Sequence, residues 1–189
     1  MLDMARIESG RLELAPEWVR TTELAPPVVR VFEGLARQKS LRLSCTLPPV
    51  MPFEVFIDAL RFRQILSNLV SNAIKFTEKG HVAVDIDITQ LGNDEVRLSV
   101  SVKDSGKGIA PDEQGNIFSP WVQAEDGKRQ SGSGLGLAIC SQLVQMMSGN
   151  ISLQSETGRG TEVTFTLAVA TRSSRPEEVA AKALPAAAD

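Results

Sequence analysis

Two alternating segments joined by a short turn constrain the fold of this chain more than any other feature. Apolar and polar residues alternate from Val82 to Ile88 and again from Val96 to Val102, which is the period of a strand with one buried face. Gly92-Asn93-Asp94 lies between them and favours a turn. The pattern predicts an antiparallel hairpin.

A second pair of strands is predicted on either side of the turn Gly158-Arg159-Gly160. Strands that arrive in pairs, with helices grouped apart from them, predict an α+β two-layer sandwich. We therefore expect a mixed, mostly antiparallel sheet packed on three helices. A doubly wound fold fits poorly, because no strand followed by Gly-x-Gly-x-x-Gly opens the chain. The predicted strands are 11–14, 41–47, 55–57, 82–88, 96–102, 151–155 and 161–168, and the predicted helices are 22–39, 59–76, 111–118 and 134–148.

The first two long helices each carry apolar residues at helical spacing, which predicts one buried face per helix. Pro26 and Pro27 fall in the first turn of the first helix, which tolerates them. The predicted buried stripes are Leu24, Val28, Val31 and Leu35 in the first helix, and Leu60, Ile65, Leu69, Ala73 and Phe76 in the second.

Length and composition suit one domain with ragged ends. The 189 residues are 42% apolar, which suffices for one sizeable core. We interpret 1–10 as the last turns of a preceding helix that stops at Gly10, 11–170 as the domain, and 171–189 as a linker or disordered tail.

The charge and the apolar runs argue against two classes of partner. A net charge of −3 gives no basic field for nucleic acid. The apolar runs fall short of the ~20 residues that cross a bilayer, so no direct membrane insertion is expected. Cys45 and Cys140 show no CxxC spacing and no secretory leader precedes them, which favours a reduced cytosolic compartment but leaves one disulfide between them open.

Three short islands carry the chemistry, and the first lies in the second long helix. Asn68, Asn72 and Lys75 stand at i, i+4 and i+7, so one helix face presents two carboxamide oxygens and an ammonium. Mg²⁺ prefers oxygen ligands together with substrate phosphates, and lysine offers phosphate a point charge. The alternative is a solvated polar face.

The second island is Asp104-Ser-Gly106-Lys-Gly108, at the end of a predicted strand. A carboxylate in that place needs a donor, and an adenine amino group is one. Guanine would present an oxygen there, so ATP is expected over GTP. The two glycines let the backbone approach a base or adopt positive φ. A plain surface turn is the alternative.

The third island places Gly132, Gly134 and Gly136 before and at a helix start. Free amide groups and the helix dipole attract anions there. The polar, Gly-rich segment 119–133 is interpreted as a mobile lid. Lys128 and Arg129 within it either reach phosphates on closure or are simply solvated.

In this order and spacing, the islands resemble the N, G1 and G2 boxes of the catalytic domain of sensor histidine kinases, in the GHKL superfamily with its Bergerat fold. The resemblance implies ATP and Mg²⁺ as cofactors, with Asn72 as the main metal ligand, Asn68 supporting it and Lys75 on phosphate. Phe118 and Trp121 resemble the F box, and a plain core role is equally compatible with both. Thr161 matches a threonine that supports the adenine-binding aspartate. The implied nucleotide-binding set is Asn72, Lys75, Asp104, Gly106, Gly108, Ile109, Phe118, Lys128, Arg129, Gly132, Gly134, Leu135, Gly136, Leu137 and Thr161.

Asn68 stands where related ATPases place a general-base glutamate. An amide cannot take a proton from water, so transfer of phosphate to histidine is favoured over hydrolysis. The single histidine, His81, sits at a strand start and is interpreted as an edge-strand residue, so the acceptor must lie on a helical dimerisation domain that this chain lacks.

The resemblance further implies a two-component sensor, with this domain in its cytoplasmic portion and a response-regulator receiver domain downstream. The amino-acid sequences of the first island and of residues 118–123 are common in hybrid kinases. Departures at Gln114-Gly115-Asn116, Ser119 and Ser131 keep open a non-catalytic regulatory module that pairs with another kinase. An ATPase or an anti-sigma type serine kinase is disfavoured by Asn68.

Overall fold

The structure, a computed structural model, describes residues 11–49, 53–119 and 135–173. The helical turns predicted for 1–10, the lid beyond Ser119 and the tail after Ser173 lie outside these ranges. Within them the order is β1 (Glu17–Arg20), a 3₁₀ turn (Thr21–Glu23), α1 (Pro26–Gln38), β2 (Arg42–Thr46), β3 (Phe53–Ile57), α2 (Ala59–Phe76), β4 (His81–Gln90), β5 (Glu95–Asp104), α3 (Pro111–Gln114), α4 (Gly136–Met146), β6 (Asn150–Glu156) and β7 (Gly160–Ser173).

One mixed sheet carries all the described strands, in the order β1-β3-β7-β5-β4-β2 with β6 also paired to β7. Only β2 and β4 pair in parallel among these strands; the other pairings are antiparallel. Helices α1, α2 and α4 lie against the sheet or against one another. The predicted α+β two-layer sandwich, with its mostly antiparallel sheet, is confirmed.

The predicted hairpin forms as β4 and β5, with Val84 opposite Val102 and Ile86 opposite Val100. These four side chains are buried on the helix-covered face. Phe62 from α2 meets Phe165 from β7 edge-on, with ring centroids 5.6 Å apart, and both are fully buried. Helix and sheet are thus joined by a close-packed aromatic contact.

Helix α2 occupies the predicted range 59–76, and its ends explain why. Asp58 is the N-cap: its Oδ1 accepts from the Arg61 amide at 3.0 Å, while its Oδ2 accepts from the Ala15 amide at 2.9 Å. One buried carboxylate therefore caps the helix and anchors the chain entering the domain.

Several local predictions were wrong. Residues 11–14 are not a strand, although Leu12 is buried; the first strand is β1, which pairs with β3. Strand β7 continues to Ser173, into the segment predicted as tail, because 171–173 pair with β3. The helix predicted for 111–118 ends at Gln114. His81 begins β4, which lies between β5 and β2, so it is not in an edge strand.

The predicted apolar stripes were right only in part. In α1, Val28 is buried but Val31 and Leu35 are 78% and 44% exposed, because α1 meets its neighbours through Val28, Val29 and Ala36. In α2, Leu60 is 66% exposed and Phe76 37%, while the central residues Ile65, Leu69 and Ala73 are buried as predicted. Across the described residues, no helix has both the length and the apolar character needed to cross a bilayer.

Candidate functional site

The first island lies on the exposed margin of α2. Asn68, Asn72 and Lys75 are half-buried, whereas Leu69 and Ala73, on the adjoining face, are buried in the core. Packing of that apolar face fixes the rotation of the helix. The two carboxamides and the ammonium therefore line one accessible surface, as the spacing predicts.

The third island meets this surface at the start of α4. A Cβ built on Gly136 would lie 3.8 Å from Nδ2 of Asn72, so the two islands are neighbours although 64 positions separate these residues. The N-cap of α4 is Leu135, whose side chain has no acceptor and makes no capping hydrogen bond. The backbone amides there retain donors for an anion.

The other residues predicted to bind the nucleotide near the third island fall into two groups: some pack in the core, and the rest lie outside the described residues. Leu135 is 2% exposed and Leu137 packs against the core, so any contact of Leu135 with a ligand is through its backbone. Phe118 also packs against the core. Lys128, Arg129, Gly132, Gly134 and Trp121 lie outside the described residues.

Asn68 has a second role that the sequence does not signal. Its side chain is hydrogen-bonded to the thiol of Cys140, which is fully buried on α4 and also contacts the Ile65 carbonyl oxygen at 3.7 Å. Burial raises the pKa of the Cys140 thiol to about 12. Cys45 lies on β2 and both cysteines are free, so the disulfide left open above does not form.

Asp104, in the second island, closes β5 and is enclosed by donors. Its Oδ1 accepts from the Gly106 amide at 2.7 Å, and the Thr161 amide and the Thr77 side chain also bond to the carboxylate. Desolvation is the largest influence and raises the pKa of Asp104 above its ordinary value. These hydrogen bonds and the nearby His81 oppose that shift.

The glycines of the second island are required by close backbone approaches. A Cβ on Gly106 would lie 2.6 Å from the Phe76 carbonyl oxygen. Gly108 has φ of +69°, and a Cβ there would lie 2.1 Å from the Glu156 carbonyl oxygen. Both positions therefore exclude any side chain.

Ser155 is a supporting residue that sequence reasoning missed. Its Oγ accepts from the Ile109 amide at 2.8 Å, and it lies 2.8 Å from Thr161 Oγ1 and 3.0 Å from the Gly160 carbonyl oxygen. Gln114 adds bonds from its Nε2 to the carbonyl oxygens of Ile109 at 2.8 Å and Ser155 at 3.0 Å.

This network ties the end of the second island to the turn between β6 and β7. Gln114, which departs from the family pattern as noted above, therefore has a structural role: it stabilises this network through its two hydrogen bonds. No sequence signal marks Ser155, because its partners come from three separate segments.

Similar proteins support one interpretation of this geometry. Residues 57–171 match the family described as histidine kinase-, DNA gyrase B-, and HSP90-like ATPase. The sensor protein EvgS of Escherichia coli K12 is 38% identical over 169 residues, which are 89% of this chain but 14% of EvgS. The chain therefore spans only a small part of the curated relatives it matches.

Solved structures agree on the fold. Full-length ShkA in complex with AMPPNP superposes with a TM-score of 0.77 at 34% identity, over 92% of this chain and 35% of ShkA. The catalytic domain of the histidine kinase ThkA, free of nucleotide, gives 0.67 at 27% identity, over 82% of this chain and 95% of that domain.

Proposed function

Because the chain belongs to the histidine kinase-, DNA gyrase B-, and HSP90-like ATPase family, we propose that it is the Mg·ATP-binding catalytic module of a sensor histidine kinase. One observation carries this proposal: α2 contacts both other islands, since Asn72 adjoins Gly136 at the start of α4 and Thr77, the C-cap of α2, bonds to the Asp104 carboxylate. The sequence places these residues up to 64 positions apart.

Asp104 is suited to recognise the adenine ring. A half-buried carboxylate already held by backbone amides accepts a further hydrogen bond from the exocyclic amino group, worth about 1.5–3 kcal/mol net. Gly106 and Gly108 are held against the carbonyl oxygens of Phe76 and Glu156, which fixes the course of the loop that follows Asp104. Adenine is therefore preferred over a base with an oxygen at that position.

The residues of α2 fit a magnesium ion. Among the described residues, no cluster of three or more acidic, histidine or cysteine side chains forms a self-sufficient metal site. Asn72 and Asn68 offer the one or two neutral oxygens that Mg²⁺ takes when phosphates supply the rest. When bound, Mg²⁺ would neutralise phosphate charge, while Lys75 and the α4 amides position the phosphates.

The γ-phosphoryl group goes to an imidazole nitrogen rather than to water. Its bond to the β-phosphate oxygen breaks, a phosphorus–nitrogen bond forms, and ADP leaves. The Asn68 amide cannot act as a general base that takes a proton from an attacking water. A neutral imidazole is already nucleophilic and needs no such base. His81 is a poor acceptor because it begins β4 beside Asp104, at the end of the site assigned to the base rather than to the phosphates. The acceptor lies on a separate helical dimerisation domain.

The cellular location and the partner domains are proposed from the similar proteins, which are named as a sensor protein and a histidine kinase. The module works in the cytoplasm within a two-component system. A response-regulator receiver domain accepts the phosphate from the histidine, and the resemblance favours a hybrid kinase that carries such a domain itself.

Calorimetry and phosphotransfer test the proposal in two stages. Mg·ATP titrated into the purified chain is expected to bind at micromolar to submillimolar concentration, and absence of heat at millimolar ATP contradicts nucleotide binding. The chain is then mixed with the separate histidine-bearing domain of its kinase and γ-labelled ATP, and acid-labile, base-stable label on that domain supports the kinase.

Two other outcomes identify the alternatives. Binding without transfer indicates a regulatory module that kept its nucleotide. Steady phosphate release above the buffer rate indicates an ATPase.

A further inference from the structure

The ammonium group of Lys39, which lies at the end of α1, bonds to carbonyl oxygens at the C-terminal end of α2. Its Nζ lies 2.7 Å from the Ile74 carbonyl oxygen, 3.0 Å from that of Lys75 and 3.1 Å from that of Thr77. An ammonium has three N–H donors, so these contacts use all of them. The sequence indicates Lys39 only as the end of a helix.

The contacted oxygens are the ones that need a partner. The last four carbonyl groups of a helix lack intrahelical donors, and the dipole makes that end negative. Lys39 supplies a charged donor to them. Its own amide is held by the carbonyl oxygens of Leu35 at 3.2 Å and Ala36 at 3.1 Å, so the ammonium projects from a fixed backbone.

The same end of α2 carries the contacts that orient Asp104. Thr77 is fully buried, and its Oγ1 lies 2.7 Å from the Ala73 carbonyl oxygen and within hydrogen-bonding reach of the Asp104 carboxylate, so its single proton serves one of these two acceptors at a time. The Phe76 carbonyl oxygen faces Gly106 at the distance that excludes a Cβ. Displacing this turn would therefore move both the carboxylate and the loop after it.

We propose that Lys39 is a positioning residue for adenine recognition. It holds the last turn of α2, so that Thr77 and the loop at Gly106 keep the Asp104 carboxylate aimed at the base, without itself touching the nucleotide. This deepens the proposed function and rests on it. A purely structural role would stabilise the helix end but leave base preference unchanged.

The test compares ATP with inosine triphosphate, which has an oxygen in place of the adenine amino group. Calorimetry on the intact chain is expected to show a preference for ATP of about tenfold or more. In Lys39→Met the preference falls below threefold and ATP binds at least fivefold more weakly. Lys39→Arg retains most of the preference, because a guanidinium also donates to carbonyl groups. A folded Lys39→Met variant with the wild-type preference overturns the proposal.

Arg37→Met is the matched control. It removes a cation from the same last turn of α1, but the Arg37 side chain is 79% exposed and its ion pair is with Glu33 of the same helix, at 3.9 Å. Its preference for ATP is expected to equal that of the wild type. If Lys39→Met does not fold, Lys39→Gln, which keeps two N–H donors without the charge, takes its place in the same comparison.

Hydrogen exchange of the nucleotide-free chain separates this proposal from the function on which it rests. The Thr77 and Gly106 amides, which bond to Ala73 O and Asp104 Oδ1, are expected to exchange at least tenfold faster in Lys39→Met and unchanged in Arg37→Met. If the wild type binds no ATP, the proposed function fails, and the exchange result alone decides whether Lys39 positions this corner. Unchanged exchange contradicts the proposal.

Discussion

The two ends of the candidate site are built differently. At the base end, Asp104, Gly106 and Thr161 are joined by backbone and side-chain hydrogen bonds that connect β5, β7 and the loop after β5. At the phosphate end, Asn72 and Gly136 approach each other because α2 packs against α4 through apolar side chains. One end is held by directional polar contacts and the other by helix packing.

This difference indicates which end tolerates change. Hydrogen bonds fix angles as well as distances, and buried polar groups are costly to leave unpaired. Helix packing fixes the surface that carries Asn72 but does not itself fix the rotamer of this half-exposed side chain. We therefore expect base-end substitutions to affect both folding and affinity, and phosphate-end substitutions to affect mainly affinity.

The largest effect is expected for Gly160→Ala. Gly160 has φ of +108°, and a Cβ would lie 2.0 Å from the Asp104 carbonyl oxygen, so backbone strain and overlap add. The free energy of unfolding should fall by about 3 kcal/mol or more in urea titrations. Gly158→Ala is the control: φ is +81° with no atom within 4 Å, and the cost should be only about 1 kcal/mol. Equal losses would contradict the role of the Asp104 contact.

Asp104→Asn should cost about 2 kcal/mol of ATP affinity, roughly thirtyfold, because a charged acceptor for the adenine amino group is lost. Calorimetry measures the loss, and the preference for ATP over inosine triphosphate should shrink with it. Wild-type affinity in a folded variant would remove Asp104 from base recognition.

Asn72→Ala should cost about 1.4 kcal/mol, roughly tenfold in ATP affinity, and only when Mg²⁺ is present. Titrations with Mg²⁺ and with a chelator isolate the metal-dependent part. Ser71→Ala, an exposed neighbour on α2, should leave both titrations unchanged. A loss that persists in the chelator would contradict a metal role.

Cys140→Ala is expected to cost about 1 kcal/mol of stability, the loss of one buried sulfur's packing. ATP affinity should change less than threefold, since Asn68 keeps its place on α2. Because burial raises the thiol pKa to about 12, Cys140 should also resist alkylation at pH 8 in the folded chain. Rapid labelling before unfolding would contradict its burial, and urea titration measures the stability change.

The smallest effect is a pH dependence of stability due to Asp104. Its folded pKa lies above the ordinary 3.8, so the folded state binds this proton more tightly than the unfolded state does. The wild type is thus relatively most stable below pH 3.8 and loses that advantage as pH rises through the folded pKa. Measured against Asp104→Asn from pH 3 to 7, the difference in unfolding free energy should fall and then level off. A rising difference would mean that hydrogen bonds outweigh burial.

Local sequence patterns correctly predicted those helices and strands whose sequence signals lie entirely within the element. The hairpin β4–β5 and helix α2 follow from alternation and helical periodicity. The wrongly predicted first strand and the exposure of Val31 and Leu35 show what local sequence patterns cannot predict. Which apolar stripe is covered depends on the neighbours that reach it, and those come from distant parts of the chain.

The candidate site divides in the same way. The α2 face and the second island could be located from spacing and residue chemistry. Ser155 and Lys39 could not, because each acts through backbone groups contributed by other segments, and Thr77 could not, because its partner Asp104 lies in a distant strand. A backbone carbonyl oxygen has no signature in the sequence.

The sequence by itself determined the set of chemical groups: two carboxamides and an ammonium on one helical face, a carboxylate at a strand end, and glycines in the segments next to them. Only the tertiary structure decided that Asn72 meets Gly136 and that Thr77 bonds to Asp104. The physical reason is that spacing along a helix or strand is fixed by local backbone geometry. The approach of separate elements is fixed by which apolar faces and unpaired polar groups find partners in the fold.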